Sequence, residues 1–186
     1  PFPNKARALL RYSQVVTLDA ALGAPAGNLF RCNSIYDPDA TGVGHQPYGH
    51  DTYQTIYNHY KVISSTITMT PVGYNNAGIY GITLTDDGLV NGDYNTIREL
   101  KTTKMSTCGQ GAAINNSVVN YYGKKQVFPH DVDSIGALFG ASPNDQQYFH
   151  CWYEGQNATN DPGAQNFMIT LSYEVEMWEL KDLGQS

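Results

Sequence analysis

The sequence is short of charge, with only 15% of its residues being Asp, Glu, Lys or Arg. Eleven basic residues face 17 acidic ones, for a net charge of −6. That balance argues against a free-standing nucleic-acid binder, because neutralising phosphates takes clustered Lys and Arg. No apolar run approaches the roughly 20 residues that span a bilayer as a helix, so no membrane partner is expected. The three cysteines, Cys32, Cys108 and Cys151, lie far apart and form no C-x-x-C pair. Their spacing fits neither a zinc ribbon nor a redox dithiol, and it predicts buried free thiols. The G-x-S-x-G elbow, the H-E-x-x-H zinc motif and a phosphate loop are all missing, so neither an enzyme nor a cofactor is expected. Repeats, charge runs and low-complexity tracts are absent too. The opening residues, PFPNKARALLRYS, lack a secretory pattern. A processed chain, or the ordered portion of a longer one, is therefore expected, and the N-x-S/T sequons at Asn115 and Asn157 read as coincidental.

What the sequence has in quantity is Tyr (14) and Gly (18), with many Thr and Val, a balance that favours β structure. Its 186 residues suit one domain, long enough to bury roughly 70% of the unfolded surface. Alternation and turn residues mark eight strands, near 8–20, 29–35, 61–70, 79–85, 101–108, 117–123, 147–153 and 167–177. The last is the clearest: Phe167, Ile169, Leu171, Tyr173, Val175 and Met177 alternate with Thr170, Ser172, Glu174 and Glu176. In the third, Ile63, Ile67 and Met69 are expected on one face and Thr66, Thr68 and Thr70 on the other. In an antiparallel series the long loops, near 36–60, 86–100 and 124–146, all fall at one end. Strand count and loop rhythm predict an all-β single jelly roll over residues 1–186, with two packed four-stranded sheets. Short helices are expected in the long loops: one after Asp51, one at Tyr94–Leu100 and one at Ser134–Phe139. A hairpin turn is expected at Gly109-Gln110-Gly111, and a solvated turn at Asp86-Asp87-Gly88.

The longest loop, YDPDATGVGHQPYGHDTYQTIYNHY from Tyr36 to Tyr60, holds three of the five histidines, three Asp and five Tyr. It invites a metal or acid–base reading. Asp37-x-Asp39-x-x-Gly42 copies the start of a calcium loop, but Pro38 intrudes and position twelve is Tyr48. A packed loop turned by Gly and Pro is preferred, leading into a helix capped by Asp51 whose Tyr53, Ile56, Tyr57 and Tyr60 share one face. Elsewhere, His150 and Cys151 are neighbours on a strand and point to opposite faces, so they are no catalytic pair. Lys5, Arg7 and Arg11 lie on one side of the first strand, away from Leu10 and Tyr12, and are candidate phosphate contacts. Lys101, Lys104, Lys124 and Lys125 make a weaker case.

Three segments carry a family resemblance: Asn33-Ser34-Ile35-Tyr36-Asp37-Pro38-Asp39, Gly44-His45-Gln46-Pro47-Tyr48-Gly49-His50-Asp51 and Tyr57-Asn58-His59-Tyr60-Lys61-Val62. Over about residues 29–70 the sequence resembles capsid proteins of small circular single-stranded DNA viruses, the circovirus-like (CRESS-DNA) group. The resemblance implies a capsid subunit that self-assembles with identical copies, about 60, into a T=1 icosahedral shell around single-stranded DNA. It also implies a place in the virion, assembly in the host nucleus, and a host receptor or glycan as a further partner. The Arg-rich arm that such proteins carry ahead of the first strand is not in this sequence. Lys5, Arg7 and Arg11 would face the genome, and His45, Tyr48, His50, Asp51, Tyr53 and Tyr57 would form a subunit interface. The alternative is a carbohydrate-binding jelly-roll module, with Tyr side chains and Trp152 lining a sugar site.

Overall fold

Alternation along the first strand sets the frame. In β1, Lys5–Ala20, the side chains of Leu10, Tyr12, Val16, Leu18 and Ala20 are buried, while Lys5, Arg7, Leu9 and Arg11 are exposed. The computed structural model describes residues 2–73, 76–87, 94–109, 116–130 and 133–182. In chain order there follow β2 (Ala26–Arg31), α1 (His50–Gln54), β3 (Tyr57–Val72), β4 (Gly78–Thr85), α2 (Tyr94–Glu99) and β5 (Thr103–Cys108). After these come β6 (Val118–Gly123), α3 (Lys124–Val127), β7 (Gly136–Leu138), β8 (Tyr148–Gly155) and β9 (Gly163–Leu180). Gln110, Gly111, Asn115 and Gly88, named in the turns and a sequon above, lie outside the described residues.

All pairings are antiparallel, and the strand orders are β1-β9-β3-β6, with β7 on β3, and β2-β8-β4-β5. This is the jelly roll, its first and last strands paired over 16 rungs from Lys5↔Trp178 to Ala20↔Gly163. Between the sheets lies an aromatic-rich core that includes Phe30, Tyr80, Phe149, Tyr153, Phe167 and Tyr173. Cys32, Cys108 and Cys151 are buried in it as free thiols.

Four local expectations are corrected. The inward parity of β3 changes at a bulge between Val62 and Ser64, so Tyr60 and Val62 are buried before it and Ser65, Ile67 and Met69 after it. Ile63 therefore leaves the face of Ile67 and Met69 and sits half-buried on the outer side. The helix after Asp51 stops at Gln54, and Tyr57 and Tyr60 belong to β3. Its N-cap is Gly49, at φ 90°, where only a residue without Cβ sits unstrained, and Asp51 lies inside the first turn. In place of a helix at 134–139 there is a single 3-10 turn, Asp133–Ile135, followed by β7.

The second sheet is covered on both sides. Phe149, Cys151 and Tyr153 of β8 face the core, and His150, Trp152 and Glu154 on the opposite face are buried as well. Part of this cover is the α2 segment. The Trp152 indole N–H donates to Thr83 Oγ1 (3.2 Å), which shares a hydrogen bond with Thr103 (2.7 Å), and Thr103 donates to the Ile97 carbonyl (2.7 Å). Arg98 Nε donates to Glu154 Oε1 at 2.6 Å. Burial pushes the Glu154 carboxyl upward, and Arg98 offsets only part of that.

Candidate functional site: the loop after β2 and the basic face of β1

The first resemblance segment is a seam between two loops. The Asn33 side chain donates to the Asp145 carbonyl (2.7 Å) and accepts from the Gln147 amide (3.0 Å). Ser34 lies within hydrogen-bond reach of the Tyr60 hydroxyl (3.1 Å) and of Ser142 (3.0 Å). Arg31 donates to the Asp37 carbonyl (2.7 Å) and pairs with its carboxylate (3.4 Å). Asp39 is fully buried and acceptor-saturated. One of its oxygens takes the Thr41 amide (2.9 Å) and hydroxyl (2.7 Å), and the other takes Gln14 (3.0 Å) and Asn28 (3.4 Å). Asp37 and Asp39 therefore serve different partners rather than one ion. Among the described residues no three His, Cys, Asp or Glu side chains converge as metal ligands.

The second segment is folded tightly against β1. A Cβ on Gly44 would meet the Tyr12 hydroxyl at 2.5 Å and the Asp39 Cβ at 2.9 Å, so the loop closes here only with glycine. The His45 ring stacks on Tyr12 with centroids 4.6 Å apart, and the Tyr48 amide donates to the Arg11 carbonyl (3.0 Å). The six predicted interface residues divide by depth. His45, Tyr48 and Asp51 are exposed, Tyr48 at 92%, and Tyr53 is half-buried. His50 and Tyr57 are interior, at 1% and 2%. His50 Nδ1 pairs with Asp51 (3.0 Å) and its ring tilts onto Phe139, while the Tyr57 hydroxyl donates to the Pro3 carbonyl (2.9 Å). The exposed members border an open depression of about 680 Å³ whose walls include Tyr36, Asp37 and His45.

The three basic residues of β1 separate. Lys5 and Arg7 converge on Glu176 of β9, with Lys5 Nζ at 3.3 Å and the Arg7 Nε and Nη2 donating to one oxygen at 3.1 and 3.0 Å. Arg7 also lies 3.6 Å from Glu174. Lys61 of β3 is a third cation on Glu176, at 3.4 Å, and sits over the Trp178 ring. Burial by itself would raise the Glu176 carboxyl, but hydrogen bonds from Arg7 and Lys5 and the charge of Lys61 outweigh it and hold it below the usual carboxylate range. Arg11 stands apart, opposite Ser172 and beside His45 and Tyr48. Sequence reasoning missed Glu176 and Lys61. The signal was available only indirectly, since pairing first strand with last puts Glu176 opposite Arg7.

Two further candidates resolve plainly. Cys151 faces the core and His150 the other side of the sheet, with burial pushing the imidazole down to about 4 from 6.5. Trp152 is 0% exposed, so it cannot line a sugar site.

No family model matches the sequence, and no curated protein matches it. Solved structures do. A chain of turnip yellow mosaic virus in its empty-head form is 14% identical with a TM-score of 0.56, covering 100% of this chain and 87% of that one. A chain of cocksfoot mottle virus is 12% identical at a TM-score of 0.55, over 92% of this chain and 96% of that one. A chain from a semi-empty VLP of the nodavirus of the giant freshwater prawn Macrobrachium rosenbergii is 10% identical at 0.52, over 96% and 97%. At such identities the likeness is one of fold, and it spans nearly the whole of this jelly roll.

Proposed function

We propose that this chain is a viral coat subunit, identical copies of which close into a T=1 icosahedral shell of about 60. The observation that carries this reading is the fold, which is similar to chains of viral particles at TM-scores of 0.52–0.56 across 92–100% of the sequence. A single-stranded DNA cargo, the T=1 geometry and assembly in the host nucleus draw on the resemblance of residues 29–70. In this reading Lys5, Arg7 and Arg11 face the cargo. The exposed side chains His45, Tyr48 and Asp51 meet a neighbouring subunit, supported from beneath by Tyr53, His50 and Tyr57. Tyr-rich, weakly charged surfaces suit such contacts.

The experiment is the particle size of the purified chain by light scattering and electron microscopy. Closed spheres of uniform diameter are expected, with a mass near 1.2 MDa for about 60 copies of 20.5 kDa. A persistent monomer, unchanged by added single-stranded DNA, overturns the reading. The depression beside Tyr48 keeps a glycan-binding module as the second reading; a monomer that binds on a glycan array would favour it.

A further inference from the structure

The β1-β9-β3-β6 sheet ends on one side at β1, whose other edge pairs with no described strand. The Tyr48 amide shows which backbone groups point off that edge, since it donates to the Arg11 carbonyl (3.0 Å) from outside the sheet. In an antiparallel ladder the N–H and C=O of one residue point the same way, and the direction alternates along the strand. The β1–β9 register runs without a shift from Lys5 to Ala20, so Ser13, Val15, Thr17 and Asp19 share the parity of Arg11 and present their backbone groups outward. Among the described residues nothing hydrogen-bonds the outward groups of Ser13, Val15 and Thr17. The side chains of the same three residues are exposed on the outer face of the sheet.

This edge lacks the usual protection. Lys5, Arg7 and Arg11 charge its first half, but residues 12–18 hold no charge, proline or glycine, the features that keep open edges apart. Val15 is 58% exposed and stands opposite Met168 of β9, itself 43% exposed, so an apolar spot reaches the edge. Two charges flank it. Arg11 lies four residues before Val15 and Asp19 four residues after, both exposed and both without an ion pair among the described residues. Lys5 and Arg7, by contrast, are held by Glu176. An antiparallel pair of identical strands centred on Val15 sets each Arg11 opposite Asp19 of the other copy, Ser13 opposite Thr17, and Val15 opposite itself. Other centres fit less well. One at Leu9 sets Arg7 against Arg11, a like-charge contact, and one at Ser13 gives Asp19 the Arg7 that Glu176 already holds.

We propose that a second copy of this chain docks on the free edge of β1, antiparallel about a twofold axis at Val15, so that the two sheets run on as one. The backbone ladder covers residues 13–17. Beyond it the Tyr48 amide occupies the Arg11 carbonyl, and the side chains of Arg11 and of Asp19 from the other copy close each end. Tyr48 and Arg11 line one depression, so the exposed Tyr48 ring stands at the corner of the same contact, continuous with the rim of the 36–60 loop. The proposal deepens the coat-subunit reading and rests on it, giving the shell a twofold contact.

The test uses the full chain, with association followed by sedimentation equilibrium and particle formation by light scattering. Val15→Cys puts a thiol on the axis. A hydrogen-bonded antiparallel pair sets its Cα atoms about 5.5 Å apart, within disulfide reach, so mild oxidation is expected to give a covalent dimer on a non-reducing gel. The native thiols are buried, so the parent chain should give no such band. Thr17→Cys, which lies opposite Ser13 and roughly 14 Å from its own copy, is the control and should not cross-link. Arg11→Asp and Asp19→Arg are each expected to weaken association about tenfold by setting like charges together, and the double swap to restore it. Failure of Val15→Cys to cross-link overturns the proposal, as does an Arg11→Asp chain that associates like the parent or a double swap that does not recover. If particles still form in any of these cases, the coat-subunit reading survives and only this contact falls. A cross-linked dimer that never closes into particles keeps the contact and overturns the coat-subunit reading.

Discussion

Asp39 shows how a residue in a ligand-like motif can be structural. Its carboxylate closes the loop after β2 by accepting from Thr41, Gln14 and Asn28 in a fully buried position. Removing it breaks the four hydrogen bonds that close the loop, so Asp39→Ala is expected to destabilise the fold by about 1–3 kcal/mol, read from the urea midpoint. His150 sets part of the response to acid. Its folded value of about 4 lies below its ordinary 6.5, so between those values the unfolded chain binds more protons and stability falls as pH drops. The full loss is roughly 3 kcal/mol, at about 1.36 kcal/mol for each tenfold change in proton affinity. His150→Leu should flatten the stability curve between pH 6.5 and 4. Glu176 acts lower on the scale. Its depressed value means that its contribution is present above the ordinary carboxylate range and is lost as pH falls through and below it. Glu176→Gln should remove that most acidic limb and leave the His150 limb in place.

At the scale of elements, the 36–60 loop divides its labour between a buried underside and an exposed rim. Tyr48 and Tyr57 test the division. Tyr48→Ala, at a 92% exposed position, is expected to leave monomer stability within about 0.5 kcal/mol while reducing assembly as seen by light scattering. Tyr57→Ala removes an interior ring and a hydrogen bond to Pro3, and is expected to cost about 3–5 kcal/mol of folding stability before any effect on assembly can be read. If Tyr48→Ala assembles like the parent, the rim is not the contact surface. The β3 bulge is the other element of consequence. One extra residue between Val62 and Ser64 moves Ile63 to the outer face, between the stretch of β3 that pairs with β6 and the stretch that pairs with β7.

At the scale of the whole molecule, the jelly roll closes by joining its two ends. β9 lies between β1 and β3, and its pairing with β1 runs the full length of β1. Without β1, β9 would present a long open edge, and the core would lose Leu10, Tyr12, Val16 and Leu18. Deleting residues up to Ala20 is therefore expected to abolish cooperative unfolding, as followed by circular dichroism. Retention of a sharp transition in that deletion would show that β2–β9 fold independently. Because the closing pair is so distant in sequence, refolding of the intact chain belongs with the slower β topologies, on the millisecond-to-second scale.

The sequence by itself determined eight of the nine described strands and the two-sheet sandwich. These rest on a period of two and on turn residues, both local properties that survive without knowledge of neighbours. It also placed Cys151 and His150 on opposite faces, as found. What only the tertiary structure decided concerns partners. Arg7 and Glu176 meet across 169 residues, and no local pattern announces that pair. Trp152 has the alternation of a solvent-facing residue, yet the α2 segment helps to bury it. Residues 134–139 carry no local strand pattern, yet the open edge of β3 at His59–Lys61 takes three of them as β7. His50 and Tyr48 stand two residues apart in one motif, and their separation into interior and surface was settled by where Phe139 and Arg11 lie beneath the loop.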